Sequence, residues 1–360
     1  MRIAQLTYSY LPITGGADAY AEQLRRVLVA AGHECMVYQR HVAEDDPRIV
    51  RLPRVPWPLS ARAFWVLPWL LSLRRRELLD LDVLVGHYPQ YCRPAAFHPR
   101  VVGLSHGVTW DDAPGTPTSE HKQRWARWAF EHCARYVAND TFFLREMGLD
   151  VPAGIEGFVE VAPGKWYVPN CVDERVFYPR TEIDPRAEGA FLVPRNIYRN
   201  RGVHLAVAAF GRIAHELPHA RMVIAGAPSQ PAAVEEVRLA MARFGIADRV
   251  AMIGSVPWEE MPPLYSGARV TVIPSLCGEG TSLAALESMA CGTPVVATDA
   301  GGLPDVPALH APVSAPALGE RMVEAWRNAD GLAAQQRAAV LTRHSRERWE
   351  RCWLGVVEDW

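Results

Sequence analysis

Short apolar runs alternate with helix-like patterns along the first half of the chain. Residues 18–31 place apolar side chains at helical spacing, and Gly32 follows where a helix C-terminal glycine belongs. The strand candidates of this half are residues 2–7, 34–38, 82–85, 100–104 and 136–138. Strands that alternate with helices favour right-handed crossovers and a mostly parallel sheet.

The same alternation starts again after a proline-rich junction at residues 163–179. The candidates of the second half are strands at 191–193, 220–224, 250–253, 270–274 and 294–297, and helices at 203–215, 231–243 and 281–290. We therefore predict two open α/β sheets. Ligands of such sheets bind outside the carboxyl ends of the strands, so two facing domains predict a site in a central cleft.

The pattern divides the chain into a first domain at residues 1–174, a second at residues 175–345 and a C-terminal helix at residues 346–360. That helix carries Trp349 and Trp353 on related faces. We expect so much aromatic surface to be buried by packing across onto the first domain.

Composition narrows the class of protein. A length of 360 residues with 49% hydrophobic and 22% charged residues indicates two folded domains rather than a disordered chain. A net charge of −2 argues against a dedicated nucleic-acid binder. Seven scattered cysteines without a C-x-x-C pair favour reduced thiols in a cytoplasmic protein over a disulfide framework or a zinc site. No stretch is long enough to span a membrane.

The most informative stretch runs from Glu279 to Glu287, after the strand candidate at 270–274. Its Gly280, Thr281 and Ser282 fall at the expected helix start, where free backbone N–H groups suit a phosphate. For an arbitrary pair of glutamates, solvated surface charge is the ordinary interpretation. Two carboxylates that flank a diphosphate-binding turn can instead accept hydroxyl groups on either side of it, which predicts a nucleotide-sugar site.

This stretch, with Ala-Cys-Gly-Thr-Pro-Val-Val at 290–296, resembles the retaining GT4 family of the GT-B glycosyltransferases. Similar marks recur at 31–34, 169–173 and 301–302, so the resemblance spans essentially the whole chain. It implies two Rossmann-like parallel-sheet domains, the first binding the acceptor and the second the nucleotide sugar. The implied activity moves a sugar from a nucleotide-sugar donor to a hydroxyl of a glycan, lipid-linked or natural-product acceptor.

The resemblance also implies roles for individual donor-site residues. Glu287 would hold the ribose hydroxyls of the donor, and Glu279 would contact hydroxyls of the transferred sugar. The backbone around Gly280 and of Thr281, Ser282 and Leu283 would contact the diphosphate.

In the first domain, His106 resembles the family's histidine near the reacting sugar, and His87, after the preceding strand, is the weaker candidate. Gly15 and Gly16 let the backbone approach the donor closely, although an ordinary turn is the alternative. Asp18 is expected to cap the following helix.

The basic residues depart from the family pattern. Arg201, before Gly202, stands where the family has a lysine that clamps the diphosphate. Counted from that end, Asn196 falls on the family's arginine, and a slip of one residue in the loop would restore Arg195 to the role. We predict Arg201 and Arg195 as catalytic cations, since arginine binds phosphate with two donors at once.

No metal or other cofactor is expected. Arginines and helix N–H groups can stabilise the leaving diphosphate by themselves. Asp80-Leu81-Asp82 spells the metal-diphosphate signature of another glycosyltransferase fold, but it opens an apolar strand at the wrong edge of the sheet. The family retains the anomeric configuration, which implies a same-face displacement in which the departing phosphate helps to deprotonate the acceptor.

Residues 51–76 interleave arginines with Trp57, Phe64, Trp65 and Trp69. Two interpretations stand: a buried helix that ends in a solvated arginine run, or a surface element in peripheral contact with an anionic membrane. Two other functions also stand beside the transferase. One is a non-catalytic GT-B subunit, motivated by Asn196, and the other is a sugar-nucleotide epimerase of the same fold.

Overall fold

The structure, a computed structural model that describes residues 1–13, 16–41 and 46–360, divides the chain into two α/β units. The first unit comprises Met1–Val151, Gly157–Pro169 and Glu347–Trp360, and the second comprises Pro152–Glu156 and Asn170–Arg346. Within the described residues, no helix is both long enough and apolar enough to cross a lipid bilayer.

The first unit is built on a sheet whose strands run in the order β3-β2-β1-β4-β5-β6-β8-β7. Its strands are β1 (Arg2–Leu6), β2 (Glu34–Gln39), β3 (Ile49–Arg51), β4 (Val83–Gly86), β5 (Val101–Ser105), β6 (Arg135–Ala138), β7 (Val159–Ala162) and β8 (Lys165–Tyr167). Its helices include α1 (Gly16–Ala30), α2 (Ala63–Leu71), α3 (Arg75–Leu79), α4 (Pro117–His132) and α5 (Thr141–Glu146). Every neighbouring pair is parallel except the β7–β8 hairpin.

The second unit repeats this arrangement with strands in the order β11-β10-β9-β12-β13-β14, all parallel. Its strands are β9 (Phe191–Val193), β10 (Met222–Ala225), β11 (Val250–Gly254), β12 (Val270–Ile273), β13 (Val295–Thr298) and β14 (Leu309–Ala311). Its helices are α6 (Val203–Ile213), α7 (Pro231–Phe244), α8 (Met261–Gly267), α9 (Leu283–Ala290), α10 (Ala315–Arg327) and α11 (Ala329–Arg343).

Both sheets contain the strand order of a Rossmann fold, 3-2-1-4-5-6, which reverses direction between the first and fourth strands. That reversal opens a crevice at the carboxyl ends of β1 and β4 in the first unit, and of β9 and β12 in the second. Strands β4, β5, β9 and β12 are buried along their whole length, as expected for parallel strands covered on both faces. Two parallel-sheet domains were predicted from the sequence, and this prediction is confirmed.

Several predicted boundaries are wrong. The helix expected at 281–290 begins at Leu283, because Ser282 is extended and acts as its N-cap. The helix expected from residue 18 begins at Gly16. The proline-rich junction contains β8, which pairs with β6 in the sheet of the first unit.

The last helix, α12 (Arg346–Glu358), buries Trp349 and Trp353 completely within the first unit. The indole N–H of Trp353 donates a hydrogen bond to the Tyr20 hydroxyl at 2.8 Å. The Tyr20 ring packs edge-on against Trp349, with ring centroids 5.2 Å apart.

Candidate functional site

The second unit gathers two arginines and a glutamate where its strand order reverses. Arg195 lies two residues beyond the end of β9, and Ser275 lies two beyond the end of β12. Glu279 lies in the irregular segment between Ser275 and α9. This is the crevice in which open α/β sheets bind their ligands.

Glu279 is buried and holds both arginines. Arg195 Nη2 lies 2.9 Å from Glu279 Oε1, Arg201 Nη1 pairs with Glu279 Oε2, and the Ser275 hydroxyl donates to Oε2 at 2.9 Å. Burial alone would raise the pKa of the Glu279 carboxyl, but Arg195 and Arg201 hold it below its ordinary value. The carboxylate is therefore charged at neutral pH. A carboxylate has about four acceptor directions, so it retains capacity for one further hydroxyl group.

Arg195 is oriented toward the start of α9. Its Nη2 also donates to the hydroxyls of Ser275 at 3.3 Å and Ser282 at 3.2 Å. Its Nε is buried and has no hydrogen-bond partner among the described residues. A buried guanidinium N–H that lacks an acceptor beside a helix start is suited to an anionic ligand.

Asn196 points elsewhere. Its Oδ1 accepts a hydrogen bond from the Ala227 backbone N–H at 2.8 Å, which ties the loop after β9 to the loop after β10. Arg195, rather than Asn196, therefore joins Arg201 on Glu279. This is the arrangement that a one-residue slip in the loop would produce.

Gly202 keeps Arg201 beside the end of β12. Its φ is +65°, and a Cβ built on it would lie 1.8 Å from the Pro274 carbonyl oxygen. The Leu276 N–H donates to the Asn200 carbonyl at 2.8 Å in the same contact. Only glycine permits this approach of the two backbones.

The N–H groups at the start of α9 belong to Leu283 and the two residues after it, because Ser282 is the N-cap. Gly280 and Thr281 lie before the helix, which corrects the expectation that they form its start. Thr281 is also engaged already: its carbonyl accepts from Asn170 Nδ2 at 2.5 Å, and its hydroxyl accepts from the Asn170 N–H at 3.2 Å.

Glu287 lies in the second turn of α9 and is partly buried. The Tyr265 hydroxyl donates to its Oε2 at 3.0 Å. Burial raises the pKa of Glu287 to about 7, against the opposing effects of hydrogen bonds from Tyr265 and Trp258. Its charge therefore changes around neutral pH.

In the first unit, His87 and His106 meet where that sheet reverses its strand order, directly after β4 and β5. His87 Nδ1 lies 3.2 Å from His106 Nε2, and His87 Nε2 lies 2.6 Å from Gln5 Oε1. Burial, with a smaller effect of His106, lowers the pKa of His87 well below its ordinary value. Burial also lowers the pKa of His106 to about 4, so both rings are neutral at pH 7.

Hydrogen-bond directions assign the tautomers of this pair. Gln5 Nε2 donates to the Ala21 carbonyl at 3.1 Å, so Gln5 Oε1 accepts from His87 Nε2–H. His87 Nδ1 must then accept, and His106 Nε2 must donate to it. Neutral His106 is left with Nδ1 as an acceptor, which suits a substrate hydroxyl.

Gly15 and Gly16 are the two glycines predicted near the donor. Gly15 lies outside the described residues. Gly16 is the first residue of α1 rather than part of a preceding loop. Asp18 consequently lies in the first turn of α1 instead of capping it, and it accepts a hydrogen bond from the Ser9 hydroxyl at 2.7 Å.

Four contact residues escaped the sequence analysis: Ser275, Asn170, Tyr265 and Gln5. Ser275 follows a predicted strand, and Asn170 lies in a family mark, so both carried a signal. Tyr265 and Gln5 carried none, because each lies far along the chain from the acid or histidine that it contacts.

Two Rossmann-like units, the second with arginines gathered beside a helix start at its switch point, are the architecture of a GT-B glycosyltransferase. The family models agree: the model described as Glycosyl transferases group 1 matches residues 189–328, and the model described as Glycosyltransferase Family 4 matches residues 14–152. The chain belongs to the group 1, family 4 glycosyltransferases.

One relative and two solved structures illustrate the range of similar proteins. A phosphatidylinositol N-acetylglucosaminyltransferase chain of Arabidopsis thaliana is 24% identical over 329 residues, which are 85% of this chain and 69% of that protein. Sucrose-phosphate synthase from Thermosynechococcus elongatus superposes with a TM-score of 0.78 at 22% identity, covering 97% of this chain and 96% of that one. HepE from Anabaena, solved in complex with UDP-glucose, gives a TM-score of 0.74 at 15% identity and full coverage of both chains.

Proposed function

We propose that the protein is a retaining glycosyltransferase that moves a sugar from a nucleoside diphosphate sugar to an acceptor hydroxyl without a metal ion. The observation that carries this proposal is the convergence of Arg195 and Arg201 on Glu279 beside the start of α9. Two fixed cations and a helix N-terminus are what a leaving diphosphate requires.

The donor would bind through charges already in place. Its diphosphate takes the N–H groups at the start of α9, the Nε of Arg195, which lacks a partner among the described residues, and the partly exposed guanidinium of Arg201. Glu287 accepts the ribose hydroxyls, and the remaining acceptor direction of Glu279 takes a hydroxyl of the transferred sugar. His106 contributes a neutral acceptor nitrogen for a substrate hydroxyl.

In the transfer step, the bond between sugar C1 and the diphosphate oxygen breaks, and its electron pair leaves with the nucleoside diphosphate. The acceptor oxygen forms a bond to C1 on the same face. Its proton passes to the departing phosphate oxygen, so charge and atoms balance. The arginines stabilise the negative charge as it develops, and the anomeric configuration is retained.

Donor and acceptor classes follow from chemistry and from similar proteins. The complex of HepE with UDP-glucose supports a uridine diphosphate sugar as the first donor to test. The name of the Arabidopsis relative specifies phosphatidylinositol, which supports a lipid-linked acceptor among the glycan, lipid-linked and natural-product classes.

The test begins with thermal-shift screening against UDP-, GDP-, ADP- and TDP-sugars, followed by assay of labelled donor with candidate acceptors. We expect one donor to stabilise the protein and to release nucleoside diphosphate in step with glycoside formation, with NMR of the product showing the donor's anomeric configuration. Glu279→Gln is expected to lower turnover about 10²–10³-fold. The control Glu235→Gln removes an exposed carboxylate on α7 and should leave turnover unchanged.

Other outcomes would contradict the proposal. Saturable donor binding without release of nucleoside diphosphate would indicate a non-catalytic subunit. Isomerisation of the sugar without any acceptor would indicate an epimerase. The pairing of Arg195 with Glu279 supports the transferase over the non-catalytic alternative, because a second cation joins Arg201 although Asn196 points elsewhere.

A further inference from the structure

Aromatic side chains of α2 and α4 meet on one face of the first unit. The Trp65 and His121 rings lie 4.9 Å apart, and the Trp69 and Trp125 rings lie 6.4 Å apart. Trp69 is 54% exposed, and the Arg93 guanidinium lies over its ring at 3.4 Å from the centroid. These helices therefore present tryptophans to solvent between basic side chains.

The segment around α2 adds large apolar side chains that no core covers. Trp57 is 87% exposed and Leu73 is 80% exposed, and Leu59 is 46% exposed. Single exposed apolar residues are ordinary, but several within 17 residues, next to Trp69, mark an interaction surface.

Within this surface, the segment around α2 carries charge of one sign, whereas α4 also carries the exposed Glu120. Residues 51–76 contain no aspartate, glutamate or lysine, and their arginines are Arg51, Arg54, Arg62, Arg74, Arg75 and Arg76. Glu77 pairs with Arg74 at 2.9 Å, while Arg54, Arg62, Arg75 and Arg76 are exposed. An unbalanced basic field around exposed tryptophans is complementary to an anionic, partly apolar partner.

A cavity of about 430 Å³ lies within this surface, between α2 and the start of α4. Arg62 and Arg124 line it together with Trp65, His121 and Thr118. Its described lining contains no carboxylate. Two guanidinium groups and a hydroxyl beside an indole ring suit a phosphate that is attached to an apolar group.

We propose that this basic and aromatic surface docks the protein on a membrane that contains anionic lipids, with the cavity between Arg62 and Arg124 receiving a lipid headgroup phosphate. Tryptophan and leucine side chains enter the boundary between headgroups and acyl chains, and the arginines remain among the phosphates. Of the two interpretations of residues 51–76, this proposal takes the surface element, with Leu67 and Leu71 of α2 buried beneath it.

The surface is connected to the histidine pair within the first unit. Ring centroids of Tyr88 and His106 lie 5.9 Å apart, those of Phe64 and Tyr88 5.4 Å apart, and those of Phe64 and Trp65 5.3 Å apart. A lipid-linked acceptor that enters from the membrane would follow this row of rings toward His106; this step alone rests on the proposed transferase function.

The test is co-sedimentation of the full chain with vesicles of phosphatidylcholine alone and of phosphatidylcholine with 30% phosphatidylglycerol, at low salt and without donor. We expect pelleting with the anionic vesicles only. Each basic side chain near an anionic surface raises partitioning about fivefold, so Arg62→Gln with Arg124→Gln should lower it about 25-fold. Trp57→Ser with Leu73→Ser should lower it at least tenfold, through lost insertion.

The matched control is Arg238→Gln with Leu239→Ser, which removes an exposed arginine and a 60% exposed leucine from α7 of the second unit. We expect this variant to pellet like the wild type. Circular dichroism melting verifies that every variant is folded. The proposal is overturned if the wild type stays in the supernatant, or if the control loses as much binding as the surface variants. Since no donor or turnover enters the assay, its failure leaves the transferase proposal standing.

Discussion

Arg195 and Asn196 are adjacent in the loop after β9 but make different contacts. Arg195 pairs with Glu279, whereas Asn196 accepts a hydrogen bond from the backbone of Ala227. We predict that Arg195→Gln weakens binding of the nucleoside diphosphate sugar about tenfold or more, because it removes a charge-assisted contact. Asn196→Ala should leave donor binding within about twofold and lower stability by about 1 kcal/mol. Isothermal titration with the donor measures the affinity of each variant, and urea unfolding measures the stability of Asn196→Ala.

The reverse pattern, with donor binding lost in Asn196→Ala and kept in Arg195→Gln, would show that Asn196 occupies the clamping position. Arg186→Gln is the matched control for removing a cation, since Arg186 is exposed and pairs with Asp184 on the same unit.

Glu287 makes donor binding depend on pH. Its pKa of about 7 means that the carboxylate form, which accepts ribose hydroxyls most strongly, becomes populated as pH rises through neutrality. We predict that the donor KM falls up to about tenfold between pH 6 and pH 8. In Glu287→Gln the KM should be higher and nearly independent of pH over this range. An unchanged slope in the variant would assign the titration to another group.

The raised pKa of Glu287 acts on stability in the opposite direction: donor binding strengthens as pH rises, whereas the stability contributed by Glu287 falls. A carboxyl whose folded pKa is raised contributes stability below its unfolded pKa, near 4.5, and loses that contribution as pH rises through about 7. Relative to the wild type, Glu287→Gln should therefore gain stability from pH 5 to pH 8. Denaturant unfolding of the apoprotein measures this gain separately from donor binding.

His87 positions His106 without itself requiring contact with substrate. Replacing His87 by Phe removes the acceptor for His106 Nε2–H and frees the His106 ring to change tautomer. We predict a fall in kcat of about tenfold or more with donor affinity unchanged. His98→Phe is the control: His98 is buried and bonded to the Leu81 carbonyl, so its loss should lower stability without lowering kcat of the folded enzyme.

At the scale of elements, the crossing of Gly202 over Pro274 fixes the loop that carries Arg201. We predict that Gly202→Ala is more destabilising than Gly245→Ala, although both glycines have φ near +60°. Gly245 has nothing within 4 Å of an added Cβ, so its variant should lose only the left-handed penalty of about 1–2 kcal/mol. Gly202→Ala adds a clash with the Pro274 carbonyl and should also weaken donor binding. Equal losses of stability in urea unfolding would contradict this assignment.

Elements with long, regular patterns were predictable from the sequence, and short edge elements were not. The strand at 191–193 was predicted with the bounds that the structure has, because it is apolar and fully buried. The β7–β8 hairpin was missed because its exposed residues break the alternation and the prolines around it suggested a linker. The start of α9 was placed two residues early, although a serine at position 282 is a good N-cap signal.

A site residue could be predicted from the sequence when the residue that it acts with lies nearby along the chain. The positions of Glu279 and Glu287, before and within α9, could be predicted because their spacing is fixed within one segment. The choice between Arg195 and Asn196 was not, because it depends on a backbone contact between Asn196 and Ala227 in the next loop. The bond of Gln5 to His87 joins residues 82 positions apart, and no local pattern encodes it.

At the scale of the whole molecule, the chain contributes Pro152–Glu156 to the second unit, returns to that unit at Asn170 and leaves it at Arg346. The segments at Asn170 and Arg346 are tied together. Val172 forms a parallel bridge with Ser345, and the Asn170 carbonyl lies 3.0 Å from His344 Nδ1. The C-terminal helix that follows completes the core of the first unit. The first unit thus depends on residues from both ends of the chain. We therefore expect mutations in each unit to destabilise that unit separately.

Trp353 in the first unit and Trp326 in the second test whether the two units unfold separately. Trp353→Ala removes a fully buried ring and its bond to Tyr20, so we predict a loss of about 3–5 kcal/mol confined to the first unit. Trp326, which packs on Phe191 at 4.6 Å between centroids, belongs to the second unit, and Trp326→Ala should destabilise that unit alone. Hydrogen exchange by mass spectrometry reports each unit separately. Donor added to either variant should protect the second unit most, because the proposed diphosphate-binding groups on Arg195, Arg201 and α9 all belong to it. Faster exchange spread equally over both units in Trp353→Ala would mean that they unfold as one body.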